Sequence, residues 1–444
     1  MKPQGPRRLR EDLVAQACLE AYGSIRHDSR LSDRALDSVL RQKKQLYSNE
    51  RRAVAERVYA LLRRQRLVDF LAERGWKGFG ALPVTNKDLV RLAISRMLEG
   101  EAADTVADAL SFKGEGARAL KHVFDARAKL EKLDSLERFA IEASLPDFAA
   151  KKLVEEVGDE ALDAAEAMNR RGPLCGRVNT LKCTREQLIA ALEKEDVKVT
   201  PTALSPLGVI LETRTNVYAL EAFKQGLFEV QDEGSQLLGM LVDAPPKKAV
   251  DACAGAGGKT LQLAAQMKNR GDLYALDVDE RRLEELRQRT RRADVHNVRV
   301  KAITDDAEAL KPLAALVGQA DRVLIDAPCS GSGTFRRKPD ARYRLTPESL
   351  AEHVGIQEAL LERFHPLVKP EGLLIYGTCS FFRDENEEVV ERFLEKHPAF
   401  SLVPAERSLG KELAEKTCRD GMLRLFPHRH GTDAFFGVIL KRAK

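Results

Sequence analysis

Two cysteines in the second half of the chain directly follow short apolar runs. Cys329 lies in DAPCSGSG after RVLI, and Cys379 lies in GTCS after LLIY. A cysteine inside an apolar strand is usually a small core residue, but each of these follows its strand and is embedded in turn-forming residues. A thiolate can add to carbon 6 of a pyrimidine and so make carbon 5 nucleophilic, and a carboxyl such as Asp326 can protonate the developing ring anion. The two cysteines are therefore candidates for covalent catalysis on a pyrimidine.

The glycine-rich stretch DACAGAGGKT, residues 251–260, follows another apolar run. Its GKT ending is typical of an ATP-binding loop, but Cys253 stands where that loop needs its first glycine, and Thr260 stands where a dinucleotide loop needs its third. Asp277, about twenty residues later, could accept hydrogen bonds from a ribose, and Asp306 could reach an adenine amino group. These features predict a nucleoside ligand without a pyrophosphate, such as S-adenosylmethionine. A purely structural turn flanked by surface acids is the alternative.

From about residue 245, short apolar runs alternate with helical patterns. The runs are AVDAC, LYALDV, VRVKAI, RVLIDA and LLIYGT. This alternation predicts a parallel, doubly wound α/β sheet, in which ligands lie at the carboxyl ends of the strands. The glycine-rich stretch and both cysteines would then meet at one edge of the sheet. The last two runs, MLRLFP and AFFGVILKR, could form an antiparallel hairpin at the edge of the sheet.

The middle of the chain has the pattern of a small α+β unit. It predicts a strand at 176–181, a helix at 184–195 and extended segments around 197–199 and 209–211. Thr184 and Gln187 have the spacing of a helix-capping box, which supports the start of the helix.

Residues 8–140 have a helical pattern throughout. Between a capping position at Asn49 and a terminating Gly75, apolar residues recur at helical spacing, which predicts one helix. Residues 1–70 carry 16 Lys/Arg against 9 Asp/Glu. A basic helical region fits a polyanionic partner such as nucleic acid, although a solvated helical surface explains the same charges.

The composition argues against several classes of protein. The 444 residues are 43% hydrophobic and carry a net charge of +5, and their apolar runs are short and interrupted by charges. No membrane span is therefore expected, and the N-terminal sequence has no apolar core of a secretory signal. The seven cysteines are odd in number and never spaced CxxC, which argues against a disulfide framework and a zinc site. We expect a cytoplasmic, monomeric protein that binds neither metal nor membrane.

The chain resembles the RNA cytosine-5 methyltransferase superfamily, which includes the RsmB/Sun/Fmu type of bacteria and the NOP/NSUN type of eukaryotes. The resemblance covers residues from about 176 to 444. It rests on the segments RVNTLK, VQDEGSQ, DACAGAGGKT, LDVD, TDDA, DAPCSGSGTFRRKPD, GTCS followed by ENE, and HGTDAFF. The N-terminal helices resemble the NusB-like RNA-binding domain that is attached to the bacterial ribosomal enzymes of this superfamily.

The resemblance implies a multi-domain architecture with three domains. Residues 1–145 would form an all-helical NusB-like RNA-binding domain. Residues 146–240 would contain linker helices and a small α+β, RRM-like unit. Residues 241–444 would form an α/β, Rossmann-like class I methyltransferase domain that binds S-adenosylmethionine.

The resemblance also implies roles for individual residues. Cys379 would be the nucleophile, Cys329 would assist product release and Asp326 would contact the cytosine, with Lys259 near the reaction centre. The residues expected to bind the cofactor are Cys253, Ala254, Gly255, Ala256, Gly257, Gly258, Lys259, Asp277, Asp306 and Asp326. The residues expected to face the RNA backbone are Arg336, Arg337, Lys338, Arg342 and Arg344.

The implied activity is methyl transfer from S-adenosylmethionine to carbon 5 of a cytosine in RNA. The helical N-terminal region makes 16S ribosomal RNA the expected substrate. Ala256 replaces a proline that is common in the family, and Ala434 replaces a common glycine, but neither change removes a chemical group. The alternatives are a transfer RNA substrate, a DNA cytosine-5 methyltransferase, which would use Cys329 as its nucleophile, and a non-catalytic RNA-binding or ribosome assembly factor.

Overall fold

The computed structural model describes residues 8–213, 215–245 and 247–444. The chain forms two compact units: the first holds the chain up to Arg170 together with Phe335–Leu345, and the second holds Arg171–Thr334 and Thr346–Lys444. The predicted boundaries at 145 and 240 do not coincide with this division, and the three-domain partition stays a prediction. None of the described helices is long and apolar enough to cross a membrane.

The first unit is built of helices, as the pattern in residues 8–140 predicts. Its helices are α1 (Glu11–Arg26), α2 (Ser32–Gln42), α3 (Ser48–Arg63), α4 (Gln65–Gly75), α5 (Val84–Leu98), α6 (Ala103–Ala109), α7 (Glu115–His122), α8 (Ser135–Ala143), α9 (Asp147–Val157) and α10 (Ala161–Asn169). Apolar residues that recur at helical spacing, such as Val54, Val58 and Val68, are wholly buried in one core. Their periodicity therefore arises from the packing of one face of each helix.

The helix predicted over 49–75 is in fact two helices. Arg64, between α3 and α4, leaves helical geometry with φ −119° and ψ 20°. Tyr47 rather than Asn49 precedes α3, and its backbone N–H donates to Oε2 of Glu50 at 2.8 Å. Because α3 and α4 bury residues in the same core, apolar spacing continues across the break and conceals it in the sequence.

The segment Phe335–Leu345 belongs to the helical unit although it follows the Cys329 motif in the chain. Arg342 is wholly buried, and its Nη1 donates to Oδ1 of Asn169 at 2.7 Å. The carboxylate of Asp340 accepts from Oγ of Ser32 at 2.6 Å and from its backbone N–H at 3.2 Å. Buried polar groups need partners, so these bonds make the segment part of the helical fold.

The second unit begins with a small antiparallel sheet. Its elements are β1 (Cys175–Val178), α11 (Arg185–Glu193), β2 (Val199–Pro201), β3 (Gly208–Leu211), α12 (Glu221–Lys224) and β4 (Phe228–Val230), with the strand order β2-β3-β1-β4. Oγ1 of Thr184 accepts from the backbone N–H of Gln187, and Oε1 of Gln187 accepts from that of Thr184, at 3.3 and 2.9 Å. The predicted α+β unit and its capping box are both present.

A larger sheet with helices on its faces completes the second unit. Its elements are α13 (Glu233–Leu241), β5 (Lys248–Asp251), α14 (Gly258–Gln266), β6 (Asp272–Asp277), α15 (Glu280–Ala293), β7 (Val298–Ala302), β8 (Ala320–Asp326), α16 (Pro347–Phe364), β9 (Val368–Thr378), α17 (Glu387–Lys396), β10 (Phe400–Val403), α18 (Glu406–Leu409), α19 (Lys411–Thr417), β11 (Cys418–Arg419), β12 (Met422–Leu425), α20 (Pro427–His430) and β13 (Phe435–Arg442). Strands β7-β6-β5-β8-β9 are parallel neighbours in that order. The predicted parallel, doubly wound sheet is confirmed.

The predicted terminal hairpin is only partly correct. β12 and β13 pair antiparallel, as expected. However, β13 also pairs with β9 along six residues, so it lies inside the sheet between β9 and β12. The first six residues of β13 are buried, and an interior strand suits such a continuous apolar run better than an edge does.

Candidate active site

The carboxyl ends of the parallel strands surround a cavity. Asp251 ends β5, Asp277 ends β6 and Asp326 ends β8, and all three line a cavity of about 590 Å³. This volume lies within the range of pockets that hold small-molecule ligands. The predicted cofactor residues that line the cavity are Cys253, Ala254, Gly255, Ala256, Gly258 and Lys259, together with Asp277 and Asp326.

The glycine-rich loop after β5 has a backbone conformation that requires glycine. Gly255 and Gly257 have φ of +52° and +91°, which L-residues with side chains rarely adopt. A Cβ on Gly257 would lie 2.1 Å from Cδ1 of Leu286. Oδ2 of Asp277 accepts from the backbone N–H of Gly255 at 2.7 Å, so the acid at the end of β6 also fixes the loop. Each carboxylate oxygen retains a second lone pair with which it can accept from a ribose hydroxyl.

Asp251 is almost fully buried at the base of this loop. Oγ1 of Thr260 donates to Oδ2 of Asp251 at 2.7 Å. Burial raises the pKa of Asp251 to about 7. Thr260, which interrupts the dinucleotide pattern in the sequence, therefore has a structural role as a hydrogen-bond donor to the end of β5.

Lys259 and Asp326 form an ion pair beside the cavity. Nζ of Lys259 lies 2.7 Å from Oδ2 of Asp326, and the lysine side chain is 9% exposed. The ammonium also lies 5.5 Å from the centre of the Phe435 ring, a favourable cation–π distance. The structure thus joins the two residues that the sequence predicts near the reaction centre.

The two cysteines after β8 and β9 are in direct contact. Sγ of Cys329 lies 3.4 Å from Sγ of Cys379, and both residues are half-buried. This contact with Cys379, together with burial, raises the pKa of the Cys329 thiol well above its usual range. Burial likewise raises the pKa of Cys253, which argues against a nucleophilic role for that thiol.

Glu385 braces the loop that carries Cys329. The carboxylate of Glu385, wholly buried, accepts from the backbone N–H of Ser330 at 2.7 Å, from Oγ of Ser330 at 2.5 Å and from Nε2 of Gln357 at 3.0 Å. Nε2 of Gln357 also donates to the carbonyl of Pro328 at 3.0 Å. The residues on both sides of Cys329 are therefore fixed by one buried carboxylate and one amide.

Asn386 braces the loop that carries Cys379 in the same way. Oδ1 of Asn386 accepts from Oγ1 of Thr378 at 2.5 Å, and its Nδ2 donates to the carbonyl of Ser380 at 3.0 Å. The backbone N–H of Gly333 also donates to the carbonyl of Cys379 at 3.0 Å. The ENE segment is recognisable in the sequence, but its contacts with the two cysteine loops are not. The hydrogen-bond partners of Glu385, for example, lie 55 and 28 residues earlier in the chain.

The acid predicted to contact adenine occupies an exposed position. Asp306 accepts from Oγ1 of Thr304 at 2.7 Å. Asp305, rather than Asp306, lines the described cavity, and it pairs with Nη1 of Arg363 at 2.9 Å. An apolar wall, which the sequence did not predict, is formed by Ile303, Ile356 and Leu360. Apolar lining residues in the same cavity as an acid suit an adenine ring, and adenine contact by Asp306 itself stays a prediction.

The predicted RNA-facing set is wrong for Arg342. Its guanidinium is wholly buried in the helical unit and bonded to Asn169, so it cannot reach a phosphate. Arg336 is also buried, with its carbonyl accepting from Arg63, so its side chain is not exposed for the predicted RNA contact either. Arg344 pairs with Asp340 at 2.8 Å. RNA contact stays a prediction for Arg337, Lys338 and Arg344.

A parallel sheet in this order, a glycine turn after β5 and an acid at the end of β6 define a class I S-adenosylmethionine-dependent methyltransferase. The cavity fits the cofactor, because the required glycine turn, an acid for the ribose and an apolar wall for the adenine line the same space. The family described as 16S rRNA methyltransferase RsmB/F matches residues 240–441, and the ferredoxin-like domain of RsmF/B-like methyltransferases matches residues 145–218.

Relatives match along nearly the whole chain. A probable ribosomal RNA small subunit methyltransferase B from Synechocystis sp. is 32% identical over 437 residues, which cover 94% of this chain and 96% of the relative. Its counterpart from Bacillus subtilis is 30% identical over 461 residues, which cover 98% and 100%. The crystal structure of PH0851 is 28% identical, with a TM-score of 0.79 over 99% of this chain and 100% of that chain. The chain belongs to the RsmB/F family of methyltransferases.

Proposed function

We propose that this protein transfers a methyl group from S-adenosylmethionine to carbon 5 of a cytosine in 16S ribosomal RNA, with Cys379 as the nucleophile. The proposal is carried by the contact of Cys379 Sγ with Cys329 Sγ, at 3.4 Å, next to Pro328, which lines the cofactor cavity. The description of the family and the names of the two relatives support ribosomal RNA of the small subunit as the substrate.

The proposed chemistry begins with addition of the Cys379 thiolate to carbon 6 of the cytosine. The electron pair of the ring double bond moves to carbon 5. The ammonium of Lys259 passes a proton to the Asp326 carboxylate with which it is paired, and Asp326 delivers that proton to ring nitrogen 3. Lys259 bonds Oδ2 of Asp326 at 2.7 Å and so orients the carboxyl toward the base. S-adenosylmethionine, when bound, supplies the electrophilic methyl group.

Release of the product completes the proposed cycle. Water accepts the proton from carbon 5, and the electron pair of that C–H bond restores the ring double bond. The bond from carbon 6 to Sγ breaks with its electron pair on Cys379, and ring nitrogen 3 returns its proton through Asp326 to Lys259. The direct contact of Cys329 with that sulfur supports a role for the Cys329 thiol in assisting this step. The target base must be unstacked for any of these contacts, so an RNA loop or an incompletely assembled particle suits the site better than a closed helix.

Variants of the two cysteines test the assigned roles. We expect Cys379→Ala to form no covalent adduct with RNA, because it lacks the attacking sulfur. We expect Cys329→Ala to accumulate the adduct, because release is slowed. Cys183→Ala, in the small α+β unit, is the matched control and should behave as wild type. Loss of adducts in Cys329→Ala and their retention in Cys379→Ala would reverse the assignment, as expected for a DNA-type cytosine-5 methyltransferase.

Bisulfite sequencing of total RNA from a deletion strain tests the substrate. The expected result is the loss of one methylcytosine in 16S ribosomal RNA and its return on complementation with wild type but not with Cys379→Ala. A site lost from transfer RNA would overturn the substrate. Unchanged methylation throughout, with RNA binding retained by the purified protein, would favour the non-catalytic alternative.

A further inference from the structure

The two contacting cysteines are chemically identical, yet the proposed function gives them different roles. Their sulfur atoms are 3.4 Å apart, and both are half-buried. Distance and burial alone therefore do not select which thiol becomes the nucleophile. Only the thiolate form attacks, so some further group has to make one of the two thiols lose its proton more readily than the other.

The turn that follows Cys379 supplies such a difference through two consecutive side chains. Among the contacts described for its carboxylate, Glu385 bonds only to the loop of Cys329 and its brace, through Ser330 and Gln357. Among those described for its amide, Asn386 bonds only to the loop of Cys379, through Thr378 and Ser380. One side chain is a carboxylate and the other is a neutral amide.

We propose that Glu385 and Asn386 together assign the roles of the two cysteines. Glu385 is a positioning residue that holds the Cys329 loop and keeps the proton on that sulfur. Asn386 is a positioning residue that holds the Cys379 loop and adds no charge to it. The names of the two roles rest on the proposed function, whereas the effect of Glu385 on the Cys329 thiol can be measured on the protein without RNA.

The electrostatics of the Cys329 loop agree with this division. Sγ of Cys379, burial and then the carboxylate of Glu385 raise the pKa of the Cys329 thiol, whereas a hydrogen bond from the backbone N–H of Gly331 lowers it. A nearby negative charge opposes the formation of a second one. The phenol of Tyr376 donates to the backbone carbonyl of Glu385 at 2.6 Å and adds no charge, and Asp326 is already paired with Lys259.

Glu385→Gln is a sharp test because it removes the charge and can keep the hydrogen bonds. Its amide oxygen can accept from Ser330 N–H and from Gln357, and its amide nitrogen can donate to Ser330 Oγ once that hydroxyl rotates. Asn386→Asp is the reciprocal change, since it introduces a charge beside the Cys379 loop. Glu388→Gln is the matched control, because that side chain is 45% exposed and lies 3.7 Å from Arg392.

The measurement is the pH dependence of alkylation by iodoacetamide, read by mass spectrometry on each cysteine peptide. In a Cys379→Ala background, Glu385→Gln should lower the midpoint for Cys329 by ~1 pH unit, the size expected for one nearby charge. In a Cys329→Ala background, Asn386→Asp should raise the midpoint for Cys379 by about the same amount. Glu388→Gln should move neither midpoint.

Two results would overturn the inference. One is a Cys329 midpoint that Glu385→Gln leaves unchanged in a protein of normal melting temperature. The other is a shift of the Cys379 midpoint by the same amount when Glu385→Gln is placed in the Cys329→Ala background, because Glu385 would then act on both thiols alike. If Glu385→Gln does not fold, the Asn386→Asp variant decides. A raised midpoint for Cys379 supports the proposed roles of Glu385 and Asn386, and an unchanged midpoint refutes them. Failure of the proposed function would instead appear as absent methyl transfer by the wild type, with these thiol profiles intact.

Discussion

Nζ of Lys259 lies 2.7 Å from Oδ2 of Asp326, so the first turn of α14 and the end of β8 are joined by one ion pair. The lysine comes from the helix that follows the cofactor loop, and the aspartate precedes the Cys329 loop. The pair therefore links the helix at the proposed methyl-donor cavity with the strand that leads to the Cys329 loop.

Breaking this ion pair should slow methyl transfer in a non-additive way. We expect Asp326→Asn to reduce the single-turnover rate by about 10²–10⁴-fold, the usual contribution of a positioned acid–base group. Lys259→Met should also reduce it, because the carboxyl loses its orienting partner. The double variant should be no slower than the slower single variant, since the two residues act as a unit. Losses that simply multiply would show that the residues act independently.

Replacing Arg342 should destabilise the helical unit rather than weaken an RNA contact. Nη1 of Arg342 donates to Oδ1 of Asn169 at 2.7 Å and to the carbonyl of Arg63 at 2.9 Å. Arg342→Met leaves these acceptors without that donor, at about 1–3 kcal/mol for each unbonded group. Thermal unfolding should show a lowered melting temperature, whereas Lys338→Met, at an exposed position, should not. Equal melting temperatures for the two variants would contradict this account.

The two neighbouring glycines 257 and 258 should differ sharply in their tolerance of alanine. Gly257 has φ +91°, and a Cβ there would lie 2.1 Å from Cδ1 of Leu286. Gly257→Ala should therefore lower the free energy of unfolding by about 1–3 kcal/mol and weaken cofactor binding measured by calorimetry. Gly258→Ala should keep the stability of wild type, because the described residues around it leave 4 Å of open space where the new methyl group would lie. A Gly257→Ala protein as stable as Gly258→Ala would show that the loop relaxes freely.

His365 should make the protein less stable in mild acid. Burial, together with the neighbouring His397, lowers the pKa of His365 to about 4, while Glu362 acts in the opposite direction and Arg442 in the same one. Between pH 6.5 and 4 the unfolded chain binds the proton that folded His365 does not, so stability falls as the pH is lowered, by at most about 1.4 kcal/mol per pH unit. His365→Phe should flatten this slope in denaturant titrations. His296→Asn, at an exposed position, should leave the slope unchanged.

The sequence was sufficient to predict the parallel sheet and the meeting of its strand ends. Alternation of short apolar runs with helical patterns determines the order of elements, and parallel strands then place Asp277, Asp326 and both cysteines at one edge. The break at Arg64 could not be predicted, because apolar spacing is continuous across it. The interior position of β13 could not be predicted either, because it depends on pairing with the distant strand β9, which the local sequence pattern does not specify.

Side-chain partners were the least predictable part of the site. Arg342 lies in a basic run that is typical of RNA-binding loops, yet its partner Asn169 is 173 residues away in the chain. Glu385 likewise bonds Ser330, 55 residues earlier. Local patterns record charge and periodicity, whereas these bonds depend on which distant segments the fold brings together. For that reason the sequence could suggest the reacting groups but not the residues that hold them.

The membership of Phe335–Leu345 in the helical unit has a consequence for synthesis on the ribosome. Helices α1 to α10 have all been translated once Asn169 is made, but Arg342 is not available to them until much later. At the usual elongation rates of about 5–20 residues per second, this delay is on the order of 10–35 s. During that interval the acceptors that Arg342 will satisfy have to be hydrated or covered by something else. The helical unit of this enzyme therefore cannot complete its folding before the rest of the chain is made, because Phe335–Leu345 is translated after the Cys329 motif. A fragment that ends at Arg170 would lack this segment.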